Sequence, residues 1–81
     1  MPVLLRSGPY KVYFYSNEGT PREPKHVHVR TAGKEAKVWL RPRIELAANR
    51  GFNSKELVDI MSLVDSHKVT FEAAWDEHFR D

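Results

Sequence analysis

The chain has 81 residues, no cysteine and a formal net charge of +2, with 41% hydrophobic and 30% charged residues. This length predicts one small domain, residues 1–81, with a thin hydrophobic core. The lack of cysteine excludes disulfides and thiolate metal sites. No apolar run is long enough to span a membrane, and the short apolar start does not resemble a signal peptide, so we expect a soluble, cytoplasmic protein that makes no membrane contact.

Charge is divided unevenly along the chain. Residues 1–50 carry ten Lys and Arg against four Asp and Glu, whereas residues 51–81 carry three against seven. A basic first half could attract an anion such as nucleic acid. The simpler interpretation is that the two halves of the chain form solvent-exposed surfaces of different composition, with no ligand involved.

The first half of the chain predicts short antiparallel strands. Val3–Arg6 forms the first, and Ser7-Gly8-Pro9 has the residues of a turn. Tyr10–Tyr15 is rich in aromatic and β-branched residues and predicts the second strand. The polar loop Ser16–Pro24 then leads into the stretch Glu23–Arg30.

Strand alternation divides the stretch Glu23–Arg30 into two faces. Val27 and Val29 lie on one face; His26, His28 and Arg30 lie on the other. A four-residue loop, Thr31–Lys34, leads into a fourth strand, Glu35–Arg41. The predicted pairs are Arg30–Glu35, Val29–Ala36, His28–Lys37, Val27–Val38 and His26–Trp39, because a shift of one residue would mix apolar and polar faces. The outer face then displays His26, His28, Arg30, Lys37, Trp39 and Arg41.

The rest of the chain predicts helical structure after an ambiguous segment. Ile44–Asn49 fits a short edge strand, which we favour, or a helical turn ending at Gly51. Asn53 and Glu56 have the spacing of a capping box. An apolar stripe at helical spacing follows: Leu57, Ile60, Met61, Val64, Phe71, Ala74, Trp75 and Phe79.

The predicted fold class is therefore α+β. A small antiparallel sheet of four to five strands, about residues 3–48, precedes a helical part, about residues 53–80, packed on one face. The helical part is one long helix, or two helices with a break between His67 and Thr70, where β-branched residues occur. The stripe covers the sheet face formed by Val12, Phe14, Val27, Val29, Val38 and Leu40.

His26 and His28 are the candidate catalytic pair. Two imidazoles can serve as acid and base in phosphodiester cleavage, with no metal, using the 2′-hydroxyl of RNA as the nucleophile. A metal site would need further ligands from Glu18, Glu23, His67 or His78, and no spacing indicates them, so we expect neither metal nor cofactor. The alternative, which we favour over catalysis, is that both histidines face solvent, pack against Trp39 and have no catalytic function.

Basic and aromatic residues around this pair predict a surface for RNA or phosphate. Its candidate residues are Arg22, Lys25, Arg30, Lys37, Trp39 and Arg41, with Tyr13 as a second stacking surface. The alternative is that these cations only keep a half-exposed sheet soluble and protect its edges. A helix longer than the sheet would leave Trp75 and Phe79 uncovered, as a surface for a partner helix or for a homodimer.

Five blocks of sequence resemble a known family. They are Phe14-Tyr15-Ser16-Asn17-Glu18, Glu23-Pro24-Lys25-His26-Val27-His28-Val29, Ala36-Lys37-Val38-Trp39-Leu40-Arg41-Pro42, Asn49-Arg50-Gly51-Phe52, and Ala74-Trp75 with Phe79. In this order and spacing they resemble the bacterial domain of unknown function 4160 family. Lys25 departs from the pattern, because the family usually has a second proline before the paired histidines.

The resemblance implies a small prokaryotic protein encoded beside another small gene, in a pair that resembles a toxin–antitoxin module. It supplies no reaction and no assigned catalytic residue. Two hypotheses result, and the sequence does not decide whether the protein is an enzyme. In the first, the protein is the toxin-like member and binds or cleaves RNA at His26 and His28. In the second, it is a non-catalytic module that regulates through a complex with the protein encoded by the neighbouring gene.

Overall fold

The structure is a computed structural model that describes residues 3–15 and 23–79. Within these ranges the elements are β1 Val3–Ser7, β2 Tyr10–Tyr13, β3 His26–Thr31, β4 Lys34–Trp39, β5 Glu45–Arg50, α1 Ser54–Ser66 and α2 Lys68–Phe79. The strands form one antiparallel sheet in chain order. The predicted α+β fold is confirmed. Neither described helix has the length and apolar character needed to cross a membrane.

The register between β3 and β4 is the one that alternation predicts. Arg30 pairs with Glu35, and the four pairs from Val29–Ala36 to His26–Trp39 follow. The loop is shorter than predicted, because Thr31 and Lys34 also pair and leave only two turn residues. Ala32 and Gly33 both have positive φ, 46° and 81°. Two such residues define a type I′ turn, whose twist matches that of the strands it joins.

The core lies between one face of the sheet and the two helices. The predicted sheet face is confirmed, since all six of its apolar side chains are buried. From the helical stripe Ile60, Val64 and Phe71 are buried in the same cluster, and Leu57 and Met61 pack against it. Burial of this apolar surface is the main term that stabilises so small a domain.

The capping box at the start of α1 is present. The backbone N–H of Glu56 donates to the Asn53 side chain over 2.8 Å, and the Glu56 carboxylate accepts from the backbone N–H of Asn53 over 3.0 Å. The helical part is two helices, so the single long helix is wrong. The chain leaves helical geometry at His67, with φ −116° and ψ 17°, and α2 begins on its carbonyl, which accepts from the N–H of Phe71 over 2.9 Å.

The favoured edge strand over Ile44–Asn49 is confirmed as β5, displaced by one residue, and the helical turn is wrong. β5 pairs with β4 at the end of the sheet, and all six of its residues are exposed. A β-bulge interrupts the pairing, because Lys37 pairs with Ala48 and Val38 with Leu46, which leaves Ala47 as an extra residue. Such a bulge changes which face the following side chains occupy.

We expect Ala32→Asn to raise the free energy of unfolding by about 0.5–1 kcal/mol, because asparagine tolerates the left-handed backbone that strains alanine. The matched control is Ala73→Asn, at an exposed position of α2, where the poorer helix propensity of asparagine should lower stability by about 0.5 kcal/mol. Urea unfolding followed by circular dichroism measures both. A loss of stability in the turn variant would contradict the type I′ assignment.

Candidate functional site: a groove on the outer face of the sheet

The candidate site lies on the face of the sheet opposite the helices. Strand pairing places Tyr13 of β2 opposite His28 of β3, and His28 opposite Lys37 of β4. Lys11, Arg30 and Glu35 form the neighbouring row across the same three strands. We call the side chains of Tyr13, Tyr15, His28, Arg30 and Glu35 the polar cluster.

His26 does not face solvent, so the expected exposure of this side chain is wrong. It is fully buried, and its Nδ1–H donates to the carbonyl of Pro24 over 2.9 Å. Its ring lies against Trp39 at 5.4 Å and against Trp75 of α2 at 5.0 Å, measured between ring centroids. A buried imidazole between two indoles packs the end of the domain, and this position does not suit proton exchange with a substrate.

His28 is also largely buried, with 7% of its surface exposed. Its ring stacks on Tyr13, with a centroid distance of 5.5 Å and an interplanar angle of 22°, and meets the edge of Tyr15 at 4.8 Å. Its Nδ1 lies 3.3 Å from a carboxylate oxygen of Glu35. This contact places a carboxylate beside the imidazole ring.

Glu35 is the acid around which the polar cluster is arranged. Its carboxylate accepts a hydrogen bond from Arg30 over 3.2 Å and one from the Tyr15 hydroxyl over 3.4 Å. Arg50 of β5 approaches it at 3.9 Å. Burial on its own would raise the pKa of Glu35, but the hydrogen bonds from Arg30 and Tyr13 and the charge of His28 outweigh burial and lower it. Glu35 is therefore a carboxylate at neutral pH.

The two tyrosines of the polar cluster place their hydroxyl groups side by side. The Tyr13 and Tyr15 hydroxyls lie 3.3 Å apart, and their rings meet edge to face at 5.3 Å. Burial raises the pKa of Tyr13 further above its ordinary value, and the hydrogen bond with Tyr15 and the charge of Glu35 add to that effect. The guanidinium of Arg30 also lies 5.5 Å from the Tyr13 ring, within cation–π range.

An open groove of about 240 Å³ adjoins the polar cluster. Its walls are formed by His28, Glu35, Ala36, Lys37, Ala48, Asn49 and Arg50. Lys37 lies over the Trp39 ring at 4.5 Å and contacts Glu23 at 2.8 Å. Three cations, Arg30, Lys37 and Arg50, and two carboxylates, Glu23 and Glu35, lie in or beside the groove. This surplus of positive charge favours an anionic ligand.

The structure divides the predicted phosphate-binding residues. Arg30, Lys37 and Trp39 lie on the outer face, near His28. Lys25 and Arg41 turn towards α2, where they form ion pairs with Asp76, at 2.8 Å, and with Glu72. Arg22 and Glu18 lie outside the described residues, so their suggested roles in phosphate and metal binding stay predictions. Tyr15, Glu35 and Arg50 belong to the site but were not among its predicted residues.

The end of α2 is not open in the way the sequence suggested. Trp75 is 3% exposed, since it packs against Phe14, His26 and Phe79. Phe79 is partly exposed. The expected exposure of Trp75 is wrong, because Phe14 at the end of β2 extends the sheet surface under α2. In residues 3–15 and 23–79, no three His, Asp or Glu side chains are grouped so as to hold a metal ion.

A family model described as a domain of unknown function (DUF4160) matches residues 10–76, more than four fifths of the chain. The match covers every residue of the polar cluster and of the groove. Neither the curated proteins nor the solved structures contain a match to this chain.

We expect His26→Ala to lower the free energy of unfolding by about 2 kcal/mol or more, because it removes a buried ring and leaves the Pro24 carbonyl without its donor. His78→Ala is the matched control, at an exposed position of α2, and should cost less than about 1 kcal/mol. Chemical unfolding at neutral pH measures both. Equal stability of the two variants would contradict a packing role for His26.

Glu35 should make stability depend on pH in one direction. The pKa of Glu35 is lower in the folded chain than in the unfolded chain. Its contribution to the free energy of unfolding is therefore present above the unfolded pKa of about 4.3 and is lost as the pH falls through the folded pKa. Glu35→Gln should therefore cost most near neutral pH, and the gap to the wild type should narrow towards acid pH. Urea midpoints across this range test it; a constant gap would show that Glu35 acts by shape alone.

Proposed function

This chain belongs to the family of the domain of unknown function (DUF4160), and we propose that it binds and cleaves RNA at the groove beside His28. The observation that carries the proposal is the convergence of an imidazole, a carboxylate and two cations on one open groove, with a third cation, Arg30, paired to the same carboxylate. A phosphodiester is the ligand that this set suits, because its charge meets the surplus of cations and its proton transfers require an acid–base group.

His28 is the catalytic residue in this proposal, and Glu35 is a positioning residue. Glu35 lies beside Nδ1 of His28 and orients the ring, and Nε2 is the atom that exchanges a proton with the substrate in this proposal. Nε2 takes the proton of the ribose 2′-hydroxyl as its oxygen attacks phosphorus. The bond from phosphorus to the 5′-oxygen breaks, and Nε2 returns the proton to that oxygen. The products are a 2′,3′-cyclic phosphate and a free 5′-hydroxyl.

The cations hold the phosphate and stabilise the charge that develops on it. Lys37 and Arg50 line the groove from β4 and β5, and Arg30 lies on the other side of Glu35. An arginine or lysine beside the phosphoryl oxygens lowers the energy of the pentacovalent transition state. His26 takes no part in this chemistry, which differs from the paired-histidine mechanism that the sequence suggested.

The biological setting that fits such an activity is a toxin–antitoxin-type gene pair. We propose that the chain is the harmful member, and that the small protein encoded by the neighbouring gene restrains it by binding the groove face. The family resemblance supports this setting by association only. Expression without the partner gene should slow growth, and His28→Asn should relieve the effect. Full toxicity of the His28 variant would overturn the mechanism.

The direct test uses a single-stranded RNA and the DNA of the same sequence, incubated with purified protein in the presence of a chelator. The wild type should cut only the RNA and leave a 2′,3′-cyclic phosphate. We expect His28→Asn to lower the cleavage rate by about 10²–10⁴-fold, with RNA affinity retained. Arg50→Gln should weaken binding and reduce its dependence on salt.

Lys55→Gln, on the exposed surface of α1, is the control that should change neither rate nor affinity. Cleavage of the DNA, or an undiminished rate for His28→Asn in a folded variant, would contradict the mechanism. If RNA is neither bound nor cut and the protein co-purifies with its neighbour's product, the non-catalytic regulatory module replaces this proposal.

A further inference from the structure

β5 is an edge strand that the domain leaves uncovered. Among the described residues it pairs on one side only, with β4. Its six residues, Glu45-Leu46-Ala47-Ala48-Asn49-Arg50, are all exposed, so the helices do not cover it on either face. An edge of this kind presents a row of backbone N–H and C=O groups that another strand can bind.

The other edge of the sheet is less suited to such pairing. In β1, Leu4 and Leu5 are partly buried against the core. The centre of β5 carries only the small side chains of Ala47 and Ala48, which leave space for the backbone of another strand. The two edges therefore differ in what they offer to another chain.

The charges at the two ends of β5 are complementary under a two-fold rotation. Glu45 pairs with Trp39 and Arg50 with Glu35 on β4, so the bulge at Ala47 leaves both charged side chains on the outer face. A regular strand would place residues five positions apart on opposite faces. The midpoint between Glu45 and Arg50 lies between Ala47 and Ala48, beside the bulge, so a two-fold rotation about that point exchanges the two charged positions.

We propose that β5 pairs antiparallel with β5 of a second copy of this chain, about a two-fold axis at the bulge. This arrangement places Glu45 of each copy beside Arg50 of the other, and Leu46 of each beside Asn49 of the other on the helix-side face. The two sheets then form one continuous ten-stranded sheet. Both helical layers lie on one side of it and both grooves on the other.

The exposed charges of β5 are free to take part in this pairing because their contacts within the chain are weak. Arg50 approaches Glu35, and Glu45 approaches Arg43, each at 3.9 Å, and the side chains of Glu45 and Arg50 are 57% and 79% exposed. Exposed pairs at this distance contribute little to the stability of a monomer. Cross-strand pairs of opposite charge contribute to sheet pairing, and a two-fold axis makes each of them twice.

Sedimentation equilibrium and light scattering test the proposal with the wild type, two variants and a mixture of the two variants. The wild type should be a dimer that dissociates on dilution. Glu45→Arg and Arg50→Glu should each weaken the dimer about tenfold or more, because each reversal turns both symmetric pairs into like-charge contacts. An equimolar mixture of the two variants should form a heterodimer, because every contact is then between opposite charges.

Asp65→Arg is the control, because it reverses an exposed charge on α1, outside β5, and it should leave the dimer intact. Thermal unfolding of each variant excludes a folding defect. A wild type that is monomeric at every concentration, or a dimer that neither reversal weakens, overturns the proposal. The second result would place the interface elsewhere, for example at Phe79. Because the readout is mass and is measured without RNA, failure of this proposal is distinguishable from failure of RNA cleavage, although Arg50 takes part in both.

Discussion

The pairing of Arg30 with Glu35 is the constraint on which both faces of this sheet depend. It lies next to the Thr31–Lys34 pair that closes the type I′ turn at Ala32–Gly33, and it is in register with every later pair of β3 with β4. The valines of β3 then face the helices, and its histidines face the other way. The same two side chains also make an ion pair at 3.2 Å on the outer face, so one contact fixes the register of the hydrophobic core and supplies the acid of the candidate site.

Among the described residues, no second layer of secondary structure lies on the outer face of the sheet, yet several side chains of that face are buried. An antiparallel sheet commonly leaves one face in water. Here Tyr13 and His26 are fully buried, as the valines of β3 are. Aromatic rings of the sheet itself cover His28, and Trp75 of α2 reaches round to His26. Low exposure to water strengthens every electrostatic contact of Glu35. It also means that any group of the polar cluster without a hydrogen-bond or charge partner would lower the stability of the fold.

Alternation in the sequence was enough to predict the fold class, the register of β3 with β4 and the apolar face. It could not predict burial on the polar face, because a period of two residues assigns side chains to a face without showing what covers it. His26 is the clearest example, since its burial depends on Trp75, almost fifty positions away. Arg50 was missed for another reason. Its position beside Glu35 requires the bulge at Ala47, and no local signal in Leu46-Ala47-Ala48-Asn49 indicates an extra residue.

The bulge at Ala47 is what connects the groove to the edge of the sheet. Without it, Arg50 would face the helices, the groove would lose the cation of its outer wall, and Glu45 would have no counterpart of opposite charge at the same face. A β-bulge near the rim of a sheet commonly redirects a side chain or ends a pairing. In this chain a single extra residue in β5 therefore determines both the charge of the candidate site and the complementarity of the open edge. These two properties follow from one feature of the backbone, although the activity and the association that we infer from them are tested separately.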